Sequence, residues 1–128
     1  MLLEHTLVKR VEFVNENVIK EKIEIDANLE RKFQCTNNDE NGILELKLEL
    51  KDKNDDGPDA FRLAVKMDGI FSLKDEKNIH DRTHELRDKA ANFAYSHLVA
   101  YVSTFMPLAG LPALFLPTTL QAFDNEDE

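Results

Sequence analysis

Residues 90–117 read AANFAYSHLVAYVSTFMPLAGLPALFLP. They complete a longer stretch, Asn78 to Pro117, that predicts one long helix followed by an apolar segment interrupted by prolines. The helix is expected to begin near Asn78 or Asp81, either of which can cap it. It should end at about Phe105, because Pro107 disfavours helical geometry in the residue before it. At about 1.5 Å per residue, the helix would be on the order of 35–40 Å long.

From Ala90 onward this helix is apolar on two sides. One stripe consists of Leu86, Ala90, Phe93, His97 and Tyr101, and a second consists of Ala91, Ala94, Leu98 and Val102. Because a single sheet face covers only one stripe, the pattern predicts a second contact surface, most simply with a copy of the same chain. The residues predicted to form this oligomer interface are Ala94, His97, Leu98, Tyr101 and Val102.

Alternation of apolar and polar residues predicts strands before the helix. The clearest one places Leu44, Leu46, Leu48 and Leu50 on one face and Glu45, Lys47, Glu49 and Lys51 on the other. Such a strand has one face on a core and one in water, as in an antiparallel sheet. Residues 61–73 repeat the pattern. Gly69 stands in their apolar row, where the missing side chain allows a bulge or the close approach of another element.

Two earlier segments show the same period less regularly. Within residues 5–14 the apolar odd positions are Leu7, Val11 and Phe13, although Val8 and Lys9 blur the pattern. From Ile19 to Cys35 the odd positions are again mostly apolar, which predicts one long strand or two strands broken near residues 26–28. Residues 36–42 are polar and end in Asn-Gly, a sequence typical of a hairpin turn.

Length, charge and cysteine content restrict the class of protein. The 128 residues predict a single domain over residues 1–123, followed by an acidic tail at residues 124–128. The formal charge of −9 argues against binding to nucleic acid or to an anionic membrane surface. One cysteine, Cys35, cannot form an internal disulfide, and no signal sequence or membrane span is recognised. We therefore expect a cytoplasmic protein.

No pattern of residues predicts catalysis. Asp52, Asn54, Asp56 and Gly57 match the first half of a calcium-binding EF-hand loop, but Leu63 occupies the position of the required glutamate, so a solvated hairpin loop is favoured. His80 and His84 are one helical turn apart, without a third ligand. His97 is interpreted as an interface histidine and Cys35 as a buried thiol. We expect no metal, no cofactor and no enzymatic activity.

Two blocks of this sequence resemble the SecB protein-export chaperone. The first is FRLAVKMDGIFSL at residues 61–73, similar to the family's strand ending in Gly-Ile-Phe-Ser. The second begins at Asn92, passes through Tyr95 and reaches LPALFL at residues 111–116, similar to the family's Phe-Pro-x-Leu-x-Leu crossover. The resemblance implies an α+β fold with a four-stranded antiparallel sheet packed on one long helix and a short C-terminal helical turn.

The resemblance also implies a function. Members of the family assemble as a dimer of dimers and hold unfolded polypeptides, without ATP, in an apolar groove beside the crossover. On this chain the groove would comprise Leu111, Leu114, Phe115 and Leu116, with Phe33 and Phe123 added by position. The implied partners are an unfolded or extended polypeptide, or one folded protein, and further copies of the chain in a homodimer or homotetramer.

One departure from the family pattern leaves two functions open. The family continues after the crossover into a substantial second helix, whereas residues 118–123 allow at most a turn or two. The chain is in this respect similar to short SecB-like proteins of Gram-positive bacteria. The first function is a holdase-type chaperone. The alternative is a structural or adaptor module that keeps the fold and the oligomer but binds one folded partner. A closed apolar pocket under Phe115 would instead favour a small ligand.

Overall fold

The computed structural model describes residues 1–15, 25–36, 38–52 and 61–108. In chain order the elements are β1 (Leu2–Asn15), β2 (Ile25–Cys35), β3 (Asn41–Asp52), β4 (Phe61–Ser72), a 3-10 turn (Ile79–Asp81) and α1 (Thr83–Leu108). This arrangement confirms the predicted α+β fold with four strands and one long helix. The predicted C-terminal helical turn lies outside the described residues.

The four strands form one antiparallel sheet in the order β1-β4-β3-β2. Three consecutive strands are neighbours, and β1 lies beside the last of them, which is the order of a Greek key. The two edge strands are therefore β1 and β2. Cross-strand rows of side chains alternate between a face that packs on α1 and an outer face.

The core lies between α1 and one face of the sheet. On β3 the side chains of Leu44, Leu46, Leu48 and Leu50 are each 0% exposed. Their neighbours on β4, including Leu63, Val65, Met67 and Phe71, are also buried. Each fully buried aliphatic side chain of this kind contributes about 1.5–3 kcal/mol relative to its exposed state, so these central strands supply much of the stabilisation.

Strand β1 departs from the predicted pattern. Its pairing with β4 contains register shifts between Leu3 and His5 and between Val8 and Arg10. The second shift places Val8 opposite Met67 on the core face, whereas Leu7 lies opposite Asp68 and is 57% exposed. The prediction that Leu7 shares a face with Val11 and Phe13 is therefore wrong, because an extra residue in the strand reverses the alternation. The irregularity at Val8 and Lys9 marks this bulge.

Strand β2 is continuous through residues 26–28, so the predicted alternative of a break there is excluded. Residues 19–24 of the predicted long strand lie outside the described part of the chain. The turn that follows β2 also differs from the expectation, since Asn41 and Gly42 already belong to β3. The Thr36 amide donates to the Asn41 carbonyl at 2.9 Å, and Asp39 adopts the left-handed conformation with φ 57°.

Helix α1 begins later and ends later than predicted. Asn78 adopts a left-handed conformation, with φ 56°, and precedes the separate 3-10 turn. Arg82 then has φ −121° and ψ 24°, which interrupts helical geometry before Thr83. At the other end the helix passes through Pro107 to Leu108. Met106 is fully buried, and this packing keeps the residue before the proline helical. The 26 residues of α1 give the helix a length of about 39 Å.

Gly69 allows the helix to approach the sheet closely. A Cβ atom at this position would lie 3.6 Å from Ala94 Cβ on α1 and 3.1 Å from Phe71 Cε2. Strand β4 has no bulge at Gly69, because its pairing with β3 is regular there and the extra residues in its pairing with β1 lie on β1. Of the two predicted roles of Gly69, close approach of another element is therefore confirmed.

A group of charges joins the sheet to the start of the helix. The carboxylate of Glu76 accepts hydrogen bonds from the Met1 ammonium at 2.9 Å, Arg82 Nη1 at 3.0 Å and Lys89 Nζ at 3.3 Å. The bond from the ammonium, followed by those from Arg82 and Lys89, lowers the pKa of Glu76 to about 2 against the opposing effect of burial. Arg82 also donates from Nε and Nη2 to Glu85, which fixes its orientation.

We expect Glu76→Gln to lower the free energy of unfolding at pH 7 by about 2 kcal/mol, since charged hydrogen bonds are lost. The folded-state pKa lies below the value of about 4.3 in an unfolded chain. The stabilisation is therefore present above about pH 5 and is lost as the pH falls toward 2. Urea unfolding of both proteins between pH 7 and pH 2.5 measures this. A difference that stays constant over the whole range contradicts the assignment. Glu40→Gln, on the exposed turn, is the control.

Candidate polypeptide-binding site

Phe33 is the only predicted groove residue in the described part of the chain. Leu111, Leu114, Phe115, Leu116 and Phe123 lie outside the described residues, as does the predicted pocket under Phe115. Phe33 stands on the edge strand β2, opposite Leu44 in register, and faces the same side of the sheet as the core. It is half-buried and packs against the core cluster, so part of its side chain remains accessible.

A glycine on the neighbouring strand holds the ring of Phe33. A Cβ atom on Gly42 would lie 2.3 Å from Phe33 Cζ and 2.7 Å from Phe33 Cε2. The ring therefore occupies the space of the side chain that Gly42 lacks. Only a glycine leaves this space free. Gly42 of the Asn-Gly sequence therefore accommodates the Phe33 ring from the neighbouring strand, and it does not form the expected turn.

The core-facing row of β2 continues on both sides of Phe33. Leu29 is buried, and Ala27, Arg31 and Cys35 are half-buried. Burial, and secondarily the charge of Asp39, raise the pKa of the Cys35 thiol, so the thiol is less readily ionised than an exposed one. The row is thus mostly apolar and partly accessible, and it is interrupted by one guanidinium. An extended segment of polypeptide lying along it would meet apolar side chains and one cation.

The end of α1 lies at the other end of the sheet from Phe33. The ring centroid of Phe105 is 5.6 Å from that of Phe13, in an edge-to-face arrangement, and 6.3 Å from that of Tyr101. Phe13 belongs to the cross-strand row that ends at Ala27 on β2, six residues from Phe33. At about 3.3 Å per residue this separation is roughly 20 Å. Phe105 and Phe33 therefore lie toward opposite ends of the core-facing side of the sheet.

The residues predicted for the oligomer interface divide into two groups. Ala94, Leu98 and Val102 are fully buried by the sheet of their own chain, so their side chains present no surface to a second copy. Their stripe is the one that faces the core. His97 is exposed and Tyr101 is half-buried, on the adjacent stripe of the helix, and Tyr101 also packs against the core cluster. Phe93, which is 49% exposed, belongs to this accessible side but was not assigned to the predicted interface. The sequence signal that could have identified Phe93 is its position in the same helical stripe as His97 and Tyr101.

A cleft of about 480 Å³ separates the accessible side of α1 from the start of β1. It is lined by residues 1–6 together with Phe93, Ser96 and His97. Leu2, which also lines it, is 68% exposed. Two large apolar side chains thus lie at one edge of the sheet, beside β1, whose outer edge has no partner strand in the described part of the chain.

His80 and His84, candidate ligands in the described part of the chain, lie on the surface. His80 Nε2 lies 3.0 Å from Asp39 Oδ2, which links the 3-10 turn to the β2–β3 turn, and His84 is exposed. Within the described ranges no three His, Cys, Asp or Glu side chains are placed to hold a metal ion. Asp52 ends β3, but the rest of the half-motif for calcium lies outside those ranges. No helix among the described residues has the length and apolarity needed to cross a membrane.

Comparison with known proteins rests on structure alone. No family model matches this sequence, and no curated protein matches it. Among solved structures, the chain is similar to the SecB-like chaperone Rv1957 of Mycobacterium tuberculosis, determined in complex with a ChAD peptide from the Rv1956 HigA1 antitoxin. The TM-score is 0.73, over 91% of this chain and 89% of the other. The chain has a SecB-like fold.

The identity between the two SecB-like chains is 14%, so the likeness establishes the architecture and not the activity. It agrees with the resemblance carried by residues 61–73 and 92–116, which predicted the same sheet and helix. The match extends over nearly all of both chains, and therefore the fold is shared as a unit rather than as a local motif.

Proposed function

We propose that this SecB-like protein is a holdase-type chaperone that binds unfolded or extended polypeptide without ATP. Its groove comprises Phe33 with Leu111, Leu114, Phe115, Leu116 and Phe123. The observation that carries the proposal is the partly accessible apolar row on the edge strand β2, with the ring of Phe33 held over Gly42. The solved structure of a SecB-like chaperone with a bound peptide supports this class of ligand.

Binding at such a row relies on two interactions. Apolar side chains of a client lose contact with water, which contributes roughly 25 cal/mol per Å² before the cost of ordering the client. Among the described residues the outer edge of β2 has no partner strand, so it offers backbone donors and acceptors to an extended segment, as in strand addition. Neither interaction requires a particular client sequence. A protein that uses both binds many unfolded chains and releases them without a chemical step, and it needs no cofactor or catalytic residue.

The experiment is suppression of aggregation of reduced α-lactalbumin, followed by light scattering at stoichiometric protein. Phe33→Ser is expected to reduce the protection at least about twofold, because the half-buried ring supplies part of the contact area. Ile43→Ser on the outer face of β3 is the matched control and should protect fully. The melting temperature of each variant separates loss of binding from loss of folding. Unchanged aggregation at large molar excess of the parent protein rejects the proposal. Capture of one folded protein in place of unfolded clients favours the adaptor alternative.

We further propose that the protein forms a homodimer or homotetramer in the cytoplasm through the accessible side of α1, around Phe93, His97 and Tyr101. The exposed apolar area of Phe93 and Leu2 supports this, because contiguous apolar surface marks interaction sites. The single domain is assigned to residues 1–123 and the acidic tail to residues 124–128. Sedimentation equilibrium measures the assembly, and a purely monomeric mass contradicts it.

A further inference from the structure

The Asn41-Gly42 pair lies within a strand, although its sequence is typical of a turn. Asn41 is the first residue of β3 and is paired with Ser72 on β4. Any side chain at position 42 would overlap the Phe33 ring, so the glycine is required by the fold. The chain therefore keeps a reactive dipeptide, because a glycine has no side chain to obstruct the attack of its backbone nitrogen on the asparagine before it.

The reaction of such a pair is deamidation. The Gly42 nitrogen forms a bond to Asn41 Cγ, the bond from Cγ to Nδ2 breaks, and Nδ2 leaves as ammonia with the proton of the Gly42 amide. Water then opens the five-membered imide at either of its carbonyls. One opening gives aspartate, and the other gives isoaspartate, in which the backbone runs through the former side chain. Ring closure requires rotation about the Cα–C bond of Asn41, since in an extended strand the next nitrogen points away from the side chain.

Thr36 opposes this rotation. The Asn41 carbonyl turns with the Cα–C bond, and it accepts a hydrogen bond from the Thr36 amide at 2.9 Å. The Thr36 hydroxyl accepts from the Asn41 amide at 3.2 Å. The hydroxyl proton is placed for donation to the Asn41 carbonyl at 3.1 Å or to Asn38 Oδ1 at 2.9 Å. One residue thus holds the backbone of Asn41 extended through both its amide and its side chain.

The ladder between β3 and β4 holds the attacking nitrogen. The Leu73 amide donates to the Glu40 carbonyl at 2.9 Å, so these two residues face each other as a hydrogen-bonded pair. Such pairs recur at every second residue of an antiparallel ladder, which makes Gly42 and Phe71 the next one. The Gly42 amide is therefore directed at the Phe71 carbonyl and away from Asn41 Cγ. Attack requires this end of β3 to separate from its neighbours, and strand ends open at a lower free energy than the whole chain unfolds.

We propose that Asn41 is a deamidation site that reacts only when the start of β3 opens, and that Thr36 controls the rate. The isoaspartate product adds a methylene group to the backbone of β3. Gly42 then moves from its place under the Phe33 ring, and its pairing with β4 is displaced. The modification therefore weakens the core-facing side of the sheet around Phe33. The site follows from the strand geometry and does not depend on the proposed chaperone activity.

The test is incubation of the folded protein at mildly alkaline pH, followed by mass spectrometry of the tryptic peptide of residues 33–47. Deamidation at Asn41 should be at least about tenfold slower in buffer than in denaturing urea. Thr36→Val removes the hydroxyl and keeps the shape of the side chain, and it should speed the reaction of the folded protein on the order of fivefold. Thr36→Ser retains the hydroxyl and is the matched control, so its rate should stay close to that of the parent protein.

A second comparison separates local opening from unfolding of the whole chain. Phe105→Leu, toward the opposite end of the sheet, lowers the free energy of unfolding through loss of an aromatic contact, and it should leave the rate at Asn41 unchanged. Equal acceleration by Phe105→Leu and Thr36→Val assigns the reaction to global unfolding and overturns the proposal. Equal rates in buffer and in urea overturn it, as does reaction at Asn38 in place of Asn41. The purified isoaspartate form should melt at a lower temperature than the parent protein, and an unchanged melting temperature contradicts the displacement of Gly42.

Discussion

Gly69→Val is expected to lower the free energy of unfolding by about 3 kcal/mol, the upper part of the range for overpacking a core. The new Cβ would already lie 3.1 Å from Phe71 Cε2 and 3.6 Å from Ala94 Cβ. The two additional methyl groups have no free space, so α1 must move away from the sheet or Phe71 must leave its position. Urea unfolding at pH 7 measures the loss.

Two variants on the same strand test whether the cause is the contact with α1. Gly69→Ala adds only the Cβ atom and should cost less, about 1 kcal/mol, because the ring of Phe71 can yield by a few tenths of an ångström. Ala64→Val introduces the same valine on the outer face, where the side chain faces away from the helix and valine favours strand geometry. It should be close to neutral. Equal destabilisation by valine at both positions would contradict the role assigned to Gly69.

Gly42→Val is expected to cost about 2–3 kcal/mol, because the added side chain occupies the position of the Phe33 ring. The Cβ atom would lie 2.3 Å from Phe33 Cζ, a separation that no relaxed structure retains, and 3.4 Å from Leu73 Cδ1. Phe33 must rotate out of its seat on the core-facing side of the sheet. Chemical denaturation measures the loss of stability, and suppression of aggregation measures the effect on the proposed groove.

A double-mutant cycle isolates the contact between the two residues. Phe33→Ala removes the ring and leaves room above residue 42. In the Phe33→Ala background, Gly42→Val should therefore lower the free energy of unfolding by at least roughly 1 kcal/mol less than it does in the parent protein. Ile43→Ala, exposed on the outer face of the same strand, serves as the control and should show no coupling to Phe33→Ala. Strict additivity between Gly42→Val and Phe33→Ala would show that the ring is not held by the glycine.

The central strands were predictable because their environment is uniform. Leu44 to Leu50 have the helix on one side and solvent on the other along their whole length, so the period of two in the sequence survives in the structure. At the sheet edge this condition fails. The bulge near Lys9 depends on pairing with β4, a contact some 60 residues away in sequence, and local alternation cannot reveal which of Leu7 and Val8 faces the core.

The candidate site was predictable only in part. The helix has apolar residues on two sides, and the sequence cannot tell which side meets the sheet. That choice is made by the fit of Ala94 against Gly69, a contact between distant residues. For this reason Ala94, Leu98 and Val102 were assigned to an interface although they belong to the core. Phe33 was predicted from its position in the sequence. Its contact with Gly42 could not be predicted, because it depends on how β2 and β3 pair.

The Greek-key order of the sheet has a consequence for how the chain folds. Leu50 and Leu63, paired across β3 and β4, are 13 residues apart, whereas Phe13 and Leu63, paired across β1 and β4, are 50 residues apart. From the logarithmic dependence of chain entropy on loop length, closing the longer loop costs about 1 kcal/mol more. The β2–β3–β4 meander can form from local contacts, whereas β1 must find its place by a search across nearly half of the chain. The ion pairs of Glu76 with Met1, Arg82 and Lys89 lie at the start of β1, and they hold this strand to the start of the helix once the longer loop is closed.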